Sequence, residues 1–404
     1  MLGGSYRLFY DRPVEFVRGE GVWLFDPDGA RYLDAYNNVP CVGHSHPRVV
    51  QAMARQAAML NTHTRYLTEQ IVDYAERLVG YLPGSLDRVV LTCTGSEAND
   101  LAYRIARCAT GGVGVVVSRH AYHGVTSAVA GFSPSLGTGV DPWVRTVTVP
   151  SVADQAGAED LAAQVREATE DLRRNGYAPA ALIMDTVFAS DGILPGAILA
   201  PAAEVMRGAG GLVIADEVQA GFARLGPAMW GFERHGLVPD IVTLGKPMGN
   251  GYPLAGVVCR HELADTFGAR TRFFNTFGGN PVACAAGLAV LDVIERDGLR
   301  RQVAEVGALL LGGLRELATR HRSIGGIRGA GLYLGVDIVD ADGDDGAASR
   351  RVSNALRNRR VLVGTCGPSG ATLKVRPPLV FRPEHADRLL SALDEALDEV
   401  EATA

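Results

Sequence analysis

Five short runs rich in valine and isoleucine recur through the middle of the chain, at 89–93, 113–117, 181–185, 212–216 and 241–245, separated by amphipathic stretches of helical spacing. Near-continuous apolar runs of this length read as strands buried on both faces, and parallel strands need crossover connections, usually helices. The pattern predicts an α/β architecture: a mostly parallel central sheet with helices on both faces. The segment 159–174 is one such helix.

The flanking segments read differently. Asp26-Pro27-Asp28-Gly29 is a turn between Val22-Trp23-Leu24-Phe25 and Arg31-Tyr32-Leu33, which predicts a hairpin-like N-terminal arm. From 47 to 80 the pattern is helical. The stretch 280–301 predicts one long helix leaving the sheet, and 327–338 with the acidic run Asp340-Ala341-Asp342-Gly343-Asp344-Asp345-Gly346 predicts a smaller α+β unit. The expected division is 1–45 as N-terminal arm and part of the small domain, 46–300 as the large domain and 301–404 as the C-terminal small domain, in keeping with a chain of 404 residues.

Charge and composition narrow the function. A net charge of −6, with arginines interspersed among acids, gives no footprint for nucleic acid. The cysteines at 41, 93, 108, 259, 284 and 366 lie far apart, and His120 and His123 lack a third ligand, so neither a disulfide framework nor a metal site is expected. The opening Met1-Leu2-Gly3-Gly4-Ser5-Tyr6-Arg7 lacks the pattern of an export signal, and no apolar run is long enough to cross a bilayer. A cytoplasmic protein without membrane contact is expected.

Only two of the 39 basic residues are lysines, Lys246 and Lys374. A guanidinium charges a surface as well as an ammonium does, but it cannot lose a proton and attack a carbonyl carbon. Lys246 follows the run 241–245 and precedes Pro247, which biases it away from helical backbone angles and lets its side chain project from a turn.

In open α/β sheets ligands bind beyond the carboxyl ends of the strands. After 89–93 come Thr94, Gly95, Ser96 and Glu97, with capping-box spacing and helical periodicity behind them; many helices start this way without a ligand, but free N–H groups, the helix dipole and a hydroxyl also suit a phosphate. After 113–117 come Tyr122 and His123, and a tyrosine there either stacks on a flat ligand or packs with a satisfied hydroxyl. The runs 181–185 and 212–216 end in Asp185 and Asp216. A carboxylate at the end of a buried strand is costly unless it meets a cation, and a protonated pyridine nitrogen is one. Phosphate cradle, aromatic ring, carboxylate and lone lysine together describe a pyridoxal 5′-phosphate site.

On these motifs, and on Asp216-Glu217-Val218-Gln219 with Gly245-Lys246 above all, the chain resembles the class III aminotransferases of the fold-type I pyridoxal-phosphate enzymes from Gly21 to about Asp387. The resemblance implies that Lys246 forms the Schiff base, Asp216 pairs with the pyridine nitrogen, Gln219 approaches the ring hydroxyl, Tyr122 stacks on the ring, and Gly95 and Ser96 hold the phosphate. His123 and Asp185 are further cofactor contacts expected on that basis. Thr276, in Asn275-Thr276-Phe277-Gly278-Gly279-Asn280-Pro281, matches a phosphate ligand supplied by a neighbouring subunit, which implies a homodimer with shared active sites.

Within the family, Asn37-Asn38-Val39, Gly43-His44-Ser45-His46-Pro47, the 61–67 segment and Gly249-Asn250-Gly251 resemble the branch of phosphoethanolamine and phosphohydroxylysine phospho-lyases and their aminotransferase relatives. Lys374 stands where many members place an arginine for the substrate carboxylate, and Arg376, two residues on, is expected to face the other way. Ser190 replaces the acidic residue that gates that arginine. Asn38, His63 and Arg65 either line the substrate side or hold solvated or packed positions, and the sequence leaves both readings open. The leading expectation is amino transfer between an amine or amino acid and a keto acid or aldehyde; the alternative is phosphate elimination from an O-phosphorylated amino alcohol or amino acid. A non-catalytic scaffold would have lost Lys246 or Asp216, and both are present.

Overall fold

A computed structural model describes residues 3–6, 8–151, 154–193, 196–339 and 346–402. Met1, Leu2 and Arg7 of the opening segment, and all of the acidic run except Gly346, lie outside the described residues.

The N-terminal arm forms β1 (Arg18–Glu20), β2 (Trp23–Phe25) and β3 (Arg31–Asp34), antiparallel as expected of the Asp-Pro-Asp-Gly turn. The helical stretch at 47–80 is two helices, α1 (Pro47–Met59) and α2 (Glu69–Val79). Then come β4 (Arg88–Thr92), α3 (Gly95–Thr110), β5 (Gly114–Ser118), α4 (Ser127–Ala130), β6 (Val144–Val147), α5 (Gln155–Arg174), β7 (Pro179–Asp185), α6 (Leu199–Gly208), β8 (Leu212–Asp216), β9 (Ile241–Leu244) and β10 (Ala255–Cys259). These strands form one seven-stranded sheet in the order β4-β10-β9-β8-β7-β5-β6.

The sheet is mixed. β6, β5, β7, β8 and β9 pair in parallel, while β10 runs antiparallel to both β9 and β4. All five expected runs are strands, and β6 and β10 are additions. Alternation along the strands sends Val115, Val117, Ile183 and Ile214 into one core with Leu101, Ala102 and Ile105 of α3. It sends Val116, Leu182, Met184 and Val213 into the opposite core with Leu161, Val165 and Leu172 of α5 and Met206 of α6. Both faces are therefore covered, and each buried leucine, valine or isoleucine contributes roughly 1.5–3 kcal/mol. Truncating Leu172, fully buried between α5 and the sheet, would cost about 2–5 kcal/mol.

The chain continues as α7 (His261–Arg270), α8 (Pro281–Arg296) and α9 (Leu299–Ala318). The single long helix expected at 280–301 is broken at Asp297-Gly298, where Gly298 is left-handed (φ 64°). The C-terminal region comprises β11 (Ile324–Ala330), β12 (Tyr333–Ile338), α10 (Ala347–Asn358), β13 (Val361–Leu362), β14 (Gly364–Cys366), β15 (Thr372–Val375) and α11 (Pro383–Glu401). β11, β12, β15 and β14 make an antiparallel sheet, while β13 pairs in parallel with β3 and so joins the two ends of the chain. No helix among the described residues is long and apolar enough to cross a membrane.

Candidate active site

The carboxyl ends of β4, β5, β7, β8 and β9 surround a cavity of about 320 Å³. Its wall contains Gly95, Ser96, Tyr122, His123, Asp185, Asp216, Gln219 and Lys246, eight of the residues singled out in the sequence.

On one side, the helix α3 opens with the capping box that its sequence predicts. Thr94 Oγ1 accepts the Glu97 N–H at 3.2 Å, and Glu97 Oε2 accepts the Thr94 N–H at 2.9 Å. That fixes the helix end against the cavity. Two close approaches shape the alcove there: a Cβ on Gly95 would lie 2.9 Å from Val218, and one on Gly124, whose φ is +139°, would lie 2.4 Å from the Ser96 hydroxyl oxygen. Ser96 Oγ accepts the Val125 N–H at 3.2 Å. A larger residue at 95 or 124 would fill the space in which an anion meets the helix amides.

Asp216, 4% exposed at the end of β8, is held on both oxygens. Oδ2 accepts His123 Nδ1–H at 2.7 Å and Asn99 Nδ2–H at 2.9 Å, and Oδ1 accepts the Val218 N–H at 3.0 Å. Asn99 is itself fixed: it donates to the His123 carbonyl at 2.7 Å and accepts the Thr243 hydroxyl at 2.7 Å. Such support fixes the carboxylate's direction. The next residue, Glu217, points to the other face of the strand. It accepts from the Thr186 hydroxyl and from the N–H groups of Gly231 and Phe232, with its carboxyl pushed up to about 7 chiefly by burial.

Lys246 has a φ of +23°, rare for a side-chain-bearing residue, and begins a short 3₁₀ turn. Burial first, then the Arg376 guanidinium, draws its ammonium below the ordinary lysine range, against the opposing pull of Asp216 and Asp185. A neutral amine is thereby brought within reach, as a nucleophile and proton acceptor requires. Asp185 lies directly across from Asp216 in the β7–β8 register; its oxygens accept the N–H groups of Val187 (3.1 Å) and Ala189 (2.9 Å). Burial, then the neighbouring Asp216, pushes its carboxyl up to about 6.

Lys374 and Arg376 are 8% and 5% exposed. The expectation that they face opposite ways is wrong, because side chains repeat with period two along an extended segment. Both lie within the electrostatic reach of Lys246, and Arg376 donates to Gln219 Oε1 in the cavity wall. Arg376 also donates Nε–H to the Tyr36 carbonyl at 3.1 Å and lies 4.9 and 5.5 Å from the ring centres of Tyr36 and Tyr333. The Tyr333 hydroxyl donates to the same Gln219 oxygen at 2.9 Å, which leaves the Gln219 N–H groups for a ligand. Lys374 has no hydrogen bond or ion pair among the described residues, and burial lowers its ammonium to about 8.

The remaining candidates lie apart. Asn38 is buried just before Val39 of the cavity wall. Arg65 is exposed over the Phe274 ring at 4.1 Å, His63 stacks on Tyr66 at 5.2 Å between ring centres, and Thr276 is exposed outside the wall of its own chain's cavity. Sequence reasoning passed over Asn99 and Tyr333. A polar residue on the apolar stripe of a helix was a usable signal for Asn99; Tyr333, in a strand distant in sequence, offered none.

A family model described as "Aminotransferase class-III" matches residues 10–397. The chain belongs to this family. Class-III aminotransferases use pyridoxal phosphate, and the present member is 38% identical to a Drosophila melanogaster protein named alanine–glyoxylate aminotransferase 2-like, over 99% of this chain and 85% of that protein. It is 35% identical to the Caenorhabditis elegans ethanolamine-phosphate phospho-lyase homolog 1, over 98% and 91%. A solved phospholyase from Arthrobacter in complex with phosphoethanolamine superposes with a TM-score of 0.94 at 42% identity, covering 98% of this chain and 97% of that one. The fold is that of the fold-type I pyridoxal-phosphate enzymes.

Proposed function

We propose that this class-III enzyme binds pyridoxal 5′-phosphate through Lys246 and eliminates phosphate from a small O-phosphorylated primary amine. The residues present fit the cofactor. The α3 amides with Ser96 in the alcove beside Gly95 and Gly124 would hold its phosphate, Asp216 its ring nitrogen, Tyr122 a ring face and the Gln219 amide its ring hydroxyl, with His123 and Asp185 beside them. Bound there, the cofactor supplies an electron sink for charge developing on the carbon beside the substrate nitrogen.

The chain's own residues do the rest. Asp216, immobilised by His123, Asn99 and Val218, would face the ring nitrogen and hold its proton there. Lys246, its amine drawn toward the neutral form by burial, would take the proton from that carbon. Lys374 and Arg376 bind the substrate's anionic end. The observation that carries the phosphate assignment is Lys374, a buried ammonium with no ion pair to a carboxylate among the described residues. With a phosphate on the adjacent carbon, the electron pair left by that proton would form a carbon–carbon double bond as the carbon–oxygen bond breaks and phosphate leaves; hydrolysis of the released enamine would give ammonia and an aldehyde, with no amino acceptor.

Transamination is the second reading. The Drosophila relative's name favours it, and Arg376 suits a keto-acid carboxylate. Incubation with phosphoethanolamine and no acceptor separates the two. Elimination gives many phosphates per enzyme; transamination gives no phosphate and at most one conversion of cofactor to its amine form.

A homodimer belongs to the same proposal. Thr276 is exposed beside Phe277 (71% exposed), and Met59, Tyr66 and Leu67 are exposed at the end of α1 and the loop after it, apolar surface that a second copy would cover. Phe277→Asp would then shift the protein toward monomer in analytical ultracentrifugation; an unchanged mass distribution removes this surface from the interface.

A further inference from the structure

Gln219 enters the cavity wall from the stretch after β8, and a carboxamide there can present either its oxygen or its nitrogen to a ligand. Two donors settle which. The Arg376 guanidinium, which has no acceptor of its own, donates to Oε1, and so does the Tyr333 hydroxyl at 2.9 Å. The oxygen is thereby held away from the ligand space. The amide nitrogen makes no hydrogen bond among the described residues, so both of its N–H groups are free to donate.

The two anchors differ in kind. Arg376 reaches Gln219 on a long side chain that also donates to the Tyr36 carbonyl, and its charge is one that a substrate anion would compete for. Tyr333 has no such competitor. It opens β12, fully buried, with its ring packed among Val187, Ala189, Ile193, Ala220 and Leu225. Burial raises its hydroxyl well above the ordinary tyrosine range, so it stays a donor at any working pH. Polarised at its oxygen by both groups, the amide donates more strongly from its nitrogen.

We propose that Tyr333 is a positioning residue: its hydroxyl holds the Gln219 carboxamide with the N–H end toward the cofactor's ring oxygen. This rests on the reading that the cavity binds pyridoxal 5′-phosphate through Lys246. A donor aimed at that oxygen stabilises negative charge on it and so eases loss of the proton that the oxygen shares with the Lys246 nitrogen. Without the Tyr333 hydroxyl the amide donates less well, and the lysine-linked cofactor keeps this proton to higher pH.

The test follows the absorbance of the lysine-linked cofactor against pH in the holoenzyme without substrate, for wild type, Tyr333→Phe, Gln219→Leu and the double variant. Tyr333→Phe keeps the ring beside Arg376 and removes only the hydroxyl. Asp185, Asp216, Lys374 and Arg376, whose charges also act on Lys246, are the same in all four proteins. Gln219→Leu should raise the titration midpoint by about one pH unit, an about 10-fold tighter hold on the proton, and Tyr333→Phe by about half a unit, or about 3-fold. In the Gln219→Leu background Tyr333→Phe should add nothing, because the hydroxyl then has no amide to hold. If Gln219→Leu raises the midpoint but Tyr333→Phe leaves or lowers it, or if Tyr333→Phe shifts it equally in both backgrounds, the positioning role is overturned and the cofactor reading stands. A midpoint that Gln219→Leu leaves or lowers overturns the proposal at its acceptor, since the amide then does not donate to the ring oxygen. A wild type that gains no colour from added cofactor overturns the underlying reading, and the positioning role with it.

Discussion

Replacing Lys374 by methionine tests the central feature of the substrate side. Burial, together with Arg376 and against the opposing effect of Cys366 and Asp185, lowers the Lys374 ammonium from 10.5 to about 8. The difference corresponds to about 3 kcal/mol of penalty for holding the charge inside the folded chain. The sign is that of a base depressed in the folded state. Below pH 8 both folded and unfolded chains carry the proton and the penalty is full; between pH 8 and 10.5 the unfolded chain binds more protons, so stability rises with pH. Lys374→Met keeps the buried stem and removes the charge. At an unfolding entropy of about 2 cal/mol/K per residue, this chain should melt roughly 3–4 °C higher than wild type near pH 7. The gap should close above pH 10, as followed by calorimetry across pH. Turnover should show the opposite: losing a buried cation opposite a phosphate costs at least about 2 kcal/mol, raising KM for phosphoethanolamine roughly 30-fold or more. A variant that melts lower at pH 7 and keeps its KM would refute the argument and make Lys374 a packing residue.

Lys246→Ala should leave a folded chain, seen by far-UV circular dichroism, that has no turnover and no absorption from a lysine-linked cofactor; residual turnover would exclude Lys246 as the proton carrier. Asn99→Ala removes one of the donors holding Asp216 and should weaken cofactor binding about 10- to 100-fold in a fluorescence titration, since hydrogen bonds to charged groups are worth roughly 1.5–3 kcal/mol. Unaltered binding would show that His123 and Val218 suffice. Asp185, raised from 3.8 to about 6, favours the folded chain less as pH climbs through that window and keeps the full penalty above it. Asp185→Asn should therefore raise the melting temperature by a few degrees at pH 8 and by little at pH 4; the same gain at both pH values would point to packing instead of charge.

The legible parts of this protein were those in which chemistry and local pattern coincide. Thr94 and Glu97 announce a helix start at their own spacing, and Asp216 and Lys246 sit immediately after runs whose burial makes a charge there anomalous. β10 escaped notice because Ala255-Gly256-Val257-Val258-Cys259 follows a glycine-rich turn, opens with two small residues and is antiparallel in an otherwise parallel series. The break between α8 and α9 was readable in Gly298, but the apolar periodicity continued across it. Non-local facts were beyond reach. The pairing of β13 with β3, and the meeting of Gln219 with Tyr333 and Arg376, join segments separated by more than a hundred residues.

Reaction choice in this site reduces to a balance of charges around a shared lysine. On the proposed assignment, with Asp216 at the cofactor's ring nitrogen and Lys246 at the covalent link, the charged groups facing the substrate's far end would be Lys374 and Arg376, with Asp185, beside the cofactor, acting electrostatically on both lysines. When Asp185 is protonated, these sum to two positive charges, the complement of a phosphate dianion. When it is ionised they sum to one, the complement of a carboxylate. Burial and Asp216 push the Asp185 carboxyl up to about 6, and a bound dianion would raise it further by repelling the carboxylate's charge. On that assignment a phosphate would bring its own proton to the site by keeping Asp185 neutral, whereas a carboxylate substrate would give a weaker push. Phosphoethanolamine binding should accordingly take up a proton near pH 7, measurable as a buffer-dependent binding enthalpy, and Asp185→Asn should abolish that uptake while preserving the binding itself.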